Sequence, residues 1–100
     1  MSREDQILNW VTDGMAQFAD ELKGYSIVLF GSRAQGTARK RSDFDFGVIG
    51  KSEIPLRTFF KISDFMDQLP TLYRLDWVDL NRASKALREN ALQNAKVIYG

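Results

Sequence analysis

Residues 26–46 read Ser-Ile-Val-Leu-Phe-Gly-Ser-Arg-Ala-Gln-Gly-Thr-Ala-Arg-Lys-Arg-Ser-Asp-Phe-Asp-Phe. The apolar run Ser26 to Phe30 has the length and composition of a buried strand, and Gly31-Ser32 ends it in a turn whose backbone N–H groups can approach an anion closely. A second strand follows over Asp43 to Ile49. Side chains alternate between the faces of a strand, so Asp43 and Asp45 project together while Phe44 and Phe46 point the other way. Two carboxylates roughly 6 to 7 Å apart at their Cα atoms repel each other unless a cation lies between them. Mg²⁺ suits such a pair, because it takes oxygen ligands and is usually completed by water and substrate phosphates; Mn²⁺ shares that preference.

Upstream, Ile7, Leu8, Val11, Met15, Phe18, Ala19 and Leu22 recur at helical spacing, with Lys23-Gly24 as the stop. Ala34 to Arg39 is read as a short helix or an irregular loop, and Gly50 as the end of the second strand. Pro55 fits a first helical turn, and Leu56, Phe59, Phe60, Ser63 and Met66 set the packing face of a helix closed by Leu69-Pro70. Tyr73 to Leu80 reads as a third strand, and Ser84 as the N-cap of a last helix carrying Leu87, Ala91 and Ala95. This order predicts a single α/β (α+β) domain over residues 1–100, a small mixed sheet covered by helices.

Composition narrows the chemistry. The chain has no cysteine and no histidine, which excludes disulfides, thiolate metal sites and His-based acid–base catalysis. A formal net charge of +1 gives no bulk electrostatic case for nucleic-acid binding. The N-terminal residues Ser2-Arg3-Glu4-Asp5 lack an apolar signal region, and no run approaches the ~20 apolar residues of a membrane span, so a cytoplasmic location without membrane association is expected. Alone, an Asp-Phe-Asp strand is most often a solvated face, and Arg39-Lys40-Arg41 an exposed loop. The carboxylate pair gains weight from the Gly-Ser turn twelve residues before it.

A third acid can come from Leu75-Asp76-Trp77-Val78-Asp79-Leu80. Asp76 and Asp79 must face opposite sides of a strand, and the apolar pattern does not choose between them.

Gly31-Ser32-Arg33-Ala34, Gly36 and Ser42-Asp43-Phe44-Asp45 resemble the signature of the DNA polymerase beta-like nucleotidyltransferases, in particular the minimal nucleotidyltransferases. Lys40 and Arg41 stand where that signature has a proline and an acid. The segment Leu75 to Leu80 is similar to the strand that carries the third aspartate, and Lys96-Val97-Ile98-Tyr99-Gly100 is similar to the end of such domains. The resemblance implies a nucleotidyltransferase-like fold and selects Asp76 over Asp79. It implies that Asp43, Asp45 and Asp76 are catalytic carboxylates holding two Mg²⁺ ions, and that Gly31, Ser32, Arg33, Gly36 and Ser42 form the nucleotide site. Two-metal chemistry then clamps the attacking and leaving oxygens with ions roughly 3.5 to 4 Å apart. Arg33, with Arg39, Lys40 and Arg41 as further candidates, is placed to neutralise the leaving phosphates.

The resemblance further implies an antitoxin that transfers AMP from ATP to a tyrosine hydroxyl of a HEPN toxin, in a hetero-oligomer with it. With about one helix left after the third strand, the acceptor is expected to come from that partner. The alternative is a catalytically silent antitoxin that neutralises its partner by binding and occlusion. Either requires some exposed apolar surface for docking.

Overall fold

The computed structural model describes residues 2–39 and 42–100; Met1, Lys40 and Arg41 lie outside them. Helix α1 (Arg3–Met15) starts on Ser2, whose Oγ accepts the Asp5 N–H at 3.1 Å, and Glu4 and Asp5 place negative charge in the first turn, where the helix dipole favours it. It buries Ile7, Val11 and Met15. The helix does not run unbroken to Leu22 as its periodicity suggests. It tightens into a 3-10 turn over Ala16–Phe18, then passes through turns that still bury Phe18 and Leu22. Just before the break Gly14 weakens the helix, and the Phe65 ring lies where a Cβ would be.

Four strands form one mixed sheet, ordered β3-β2-β1-β4. β1 (Tyr25–Phe30) runs antiparallel to β2 (Phe44–Gly50), whereas β2 and β3 (Leu75–Asp79) are parallel, joined by the crossover helix α3 (Leu56–Asp67). The second strand includes Gly50 rather than stopping before it. Asn81 holds that peptide in the ladder, its Oδ1 accepting from Gly50 N at 3.0 Å and its Nδ2 donating to Gly50 O at 2.7 Å. The third strand is shorter than the apolar run, and Tyr73, outside it, packs edge-on against Phe44. β4 (Lys96–Tyr99) pairs antiparallel with β1 and was not expected as a strand. Its Val-Ile-Tyr composition is the strand signal, too short to stand out beside the preceding helix. That helix, α4 (Lys85–Leu92), is capped by Ser84, which accepts the Leu87 N–H at 3.2 Å.

The two faces of the sheet differ, and the difference positions the site. Phe44, Phe46, Val48, Ile27 and Leu29 face α1 and α3 and are almost fully buried with Ile7, Val11, Met15, Ile62 and Met66. Truncating Phe46 to alanine is expected to destabilise the fold by about 3 to 5 kcal/mol, measurable by denaturant unfolding. The opposite face holds a small cluster of Val28, Leu80 and Ala91, with Phe30, Ile49, Val78 and Ala95 at its margin. On α3 the row Thr58, Ile62 and Met66 is buried, and Phe59 rides beside it against Trp77. Leu56 and Phe60 instead face outward, 52% and 57% exposed, and with Leu87 they border an open apolar groove beside β3. A spacing of four selects 58, 62 and 66; the broader apolar pattern of α3 hid that choice.

Candidate active site

Three segments meet on the less covered face of the sheet: the turn after β1, the start of β2 and the start of β3. Phe30, the last residue of β1, pairs with Asp45, and Asp45 pairs in parallel register with Asp76. The chain then leaves β1 through Gly31, with φ 73° and ψ −156°, into the single helical turn α2 (Ser32–Gln35). Ala34 and Gln35 donate their N–H groups to the Gly31 carbonyl, whereas the Ser32 N–H starts the turn, beyond the reach of any carbonyl of that turn. Helical structure is therefore confined to 32–35 and does not extend over 34–39. Gly36 stops it in the left-handed region, its N–H returning to the Ser32 carbonyl. Gly31 also has no room for a side chain, because a Cβ would run into the Asp45 carboxylate.

Asp43 is exposed just before β2, one residue outside the strand, and Asp45 and Asp76 are half-buried. Burial holds the Asp45 carboxyl above its ordinary range; the charges of Asp76 and Asp43 and a hydrogen bond with Asp76 raise it further, against a smaller opposing effect of Arg74. The charges of Asp76 and Asp43 thus lie close enough to Asp45 to oppose its ionisation. Among the described residues no group of three acidic side chains is already arranged as a metal cage. The donor set nonetheless fits Mg²⁺, which is commonly held by one or two carboxylates and completed by water and phosphate oxygens, and the mutual repulsion is what a divalent cation relieves.

Asp79 lies on the other face. It is buried, and its carboxylate accepts from Ile54 N at 3.1 Å, Asn81 N at 2.9 Å and Arg82 Nε at 3.1 Å. It caps backbone N–H groups inside the protein. Asp79→Ala would orphan these donors, and a loss of about 2 to 4 kcal/mol in unfolding free energy is expected.

Arg33 does not reach toward the carboxylates. Its guanidinium lies 4.2 Å from the Phe44 ring centre and 5.2 Å from that of Tyr73, with Nη1 3.4 Å from Glu4 Oε2. Nε and Nη2 donate to the Ser42 carbonyl at 3.3 and 2.8 Å. Ser42 Oγ in turn accepts the Arg39 N–H at 2.8 Å. These contacts tie Arg33 and Ser42 to the loop and the start of β2. Lys40 and Arg41 lie outside the described residues. Sequence reasoning missed Arg74, whose Nε donates to Asp76 Oδ1 at 2.9 Å. Its position two residues before Asp76, on the same face of a strand, was the available signal.

A sheet that brings a Gly-Ser turn against an i, i+2 aspartate pair and a third aspartate from a parallel neighbour defines a nucleotidyltransferase fold. The chain belongs to the Polymerase beta, Nucleotidyltransferase family, which it matches over residues 17–100. Among solved structures it is similar to a toxin–antitoxin complex crystallised with AMP-PNP, at 26% identity and TM-score 0.60, covering 93% of this chain and 73% of that one. A candidate minimal nucleotidyltransferase matches at 26% identity and TM-score 0.54, over 89% and 86% of the two chains. The fold also matches a complex of tri-AMPylated HEPN toxin from Shewanella oneidensis with MNT antitoxin, at 20% identity and TM-score 0.60, over 93% and 72%. A search of curated proteins gave no match. Among the described residues no helix is long and apolar enough to cross a membrane.

Proposed function

We propose that this chain is the antitoxin of a toxin–antitoxin pair and transfers AMP from ATP to a hydroxyl of its HEPN-type partner, a tyrosine being the expected acceptor. The observation that carries the reading is the pairing of Asp45 with Asp76 beside the Gly31 turn, on the sheet face opposite the main core. Family membership supports nucleotidyl transfer. The toxin–antitoxin relative with AMP-PNP supports both the partner class and an adenine nucleotide.

In this reading Asp43, Asp45 and Asp76 hold divalent cations, which when bound would neutralise phosphate charge and make the acceptor hydroxyl more acidic. The turn at Gly31-Ser32 offers backbone N–H and the Ser32 hydroxyl to the triphosphate, and Gly31 permits the approach by lacking a side chain. Arg33 and Ser42 fix the backbone that presents Asp43. The acceptor oxygen attacks the α-phosphorus, the bond to the β-phosphate oxygen breaks, and pyrophosphate leaves. The hydroxyl proton passes to the Asp76 carboxylate and then to solvent. The outward-facing Leu56, Phe60 and Leu87 supply apolar surface suited to a protein partner.

The deciding experiment is label transfer from α-labelled ATP and Mg²⁺ into the co-expressed partner. Label that disappears with Asp43→Asn/Asp45→Asn is the expected result. Inhibition of the partner without label from either form would establish neutralisation by occlusion instead.

A further inference from the structure

Arg74 is the basic side chain that the aspartate cluster engages directly. Its side chain is 75% exposed, yet Nε lies 2.9 Å from Asp76 Oδ1, and its charge is the one cationic influence on Asp45 among the described residues. Two other cations near the sheet are committed elsewhere. Arg33 is buried against Phe44 and Tyr73, and Arg82 is bound to Asp79, Glu53 and the Ile54 carbonyl on the far side of β3. Arg74 holds Asp76 through Nε, and neither terminal nitrogen has a carboxylate partner among the described residues.

We propose that Arg74 binds the triphosphate of the incoming nucleotide, and that Asp76 holds it beside the site until a divalent cation engages that carboxylate. The proposal rests on reading Asp43, Asp45 and Asp76 as cation ligands. A guanidinium and a divalent cation would compete for the Asp76 carboxylate, because two positive charges on one small group repel one another. Displaced from Asp76, the long exposed side chain of Arg74 stays within reach of whatever anion accompanies the cation. A planar guanidinium matches two phosphate oxygens at once, which an ammonium does not. One residue thus has opposite effects on the two ligands: it opposes the metal alone and favours the metal–nucleotide complex.

The opposed signs make the test specific. Mn²⁺ binding is followed by electron paramagnetic resonance with the metal alone, and Mg²⁺·AMP-PNP binding by calorimetry, for wild type, Arg74→Gln and Arg74→Lys. Arg74→Gln is expected to bind Mn²⁺ several-fold more tightly and the nucleotide about tenfold more weakly, the loss set by a charged hydrogen bond. Arg74→Lys should recover only part of the nucleotide affinity. The exposed position predicts unchanged Tm in both variants. Equal or same-direction changes in the two affinities, with wild-type Mn²⁺ binding intact and abolished by Asp45→Asn, overturn the role of Arg74 alone. Wild-type protein that binds no Mn²⁺, or binding that survives Asp45→Asn, overturns the cation-site reading and this proposal with it.

Discussion

Asp45→Asn is expected to abolish nucleotidyl transfer while raising the thermal stability of the protein without divalent cation. Asparagine keeps the shape of the side chain but removes the charge that a cation needs, and a loss of at least about a thousandfold in rate, roughly 4 kcal/mol of barrier, is expected. The opposite effect on stability follows from the carboxyl's surroundings. Burial, then the charges of Asp76 and Asp43, raise its folded-state affinity for a proton above that of the unfolded chain. Such a group opposes folding most when the pH is above its raised folded value, and the penalty fades as pH falls through that value toward the ordinary carboxylate range. The Tm advantage of Asp45→Asn should therefore be largest near neutral pH and shrink on acidification. Mg²⁺ should raise the Tm of wild type and leave the variant unchanged, since only a ligand of the folded state stabilises it. Calorimetry at several pH values, with and without Mg²⁺, checks both signs. A variant less stable than wild type near neutral pH would show that Asp45 serves the fold rather than the site.

Gly31→Ala is expected to damage the same site from the other side. Alanine at φ 73° is strained wherever it occurs, and here its Cβ would meet the Asp45 carboxylate. Either the turn or the carboxylate must shift. A loss of about 1 to 3 kcal/mol in stability is expected from the backbone alone. Transfer activity should fall further, about a hundredfold, because a displacement near 1 Å of a positioned group has that effect. Gly36→Ala provides the contrast. Its strain is milder, because φ 75° with ψ 14° is the left-handed helical region whereas the φ 73° and ψ −156° of Gly31 are reached almost only by glycine, and a Cβ at Gly36 meets nothing within 4 Å. Its stability loss should be smaller than that of Gly31→Ala, with much more activity retained. Equal activity in the two variants would mean that the contact between Gly31 and Asp45 has no catalytic consequence.

Local patterns made much of this molecule legible. The Gly-Ser turn, the alternation that sets Asp43 and Asp45 apart from Phe44 and Phe46, and the capping serine at 84 all report interactions within a few residues. Such interactions leave a signal in the order of the chain. β4 left little signal, since its four residues become a strand only by pairing with β1, some seventy positions away. The outward turn of Phe60 and the committed role of Arg33 were hidden for a related reason. An exposed phenylalanine and a buried arginine run against average preference, and only neighbours from other elements decide them.

The sequence by itself determined that two aspartates share one face beside a flexible turn, because strand alternation and glycine's freedom are properties of the backbone. It narrowed the third carboxylate to Asp76 or Asp79 but could not choose by periodicity, as the two lie on opposite faces of one strand. Tertiary structure gives the two different surroundings. The parallel register of β2 and β3 brings Asp76 opposite Asp45, and the packing of β3 against the loop before α3 turns Asp79 inward to the Ile54 N–H. It likewise placed Arg33 beneath the loop and Arg74 beside Asp76, because the position of a long cationic side chain is set by the carboxylates and rings that other segments bring within its reach.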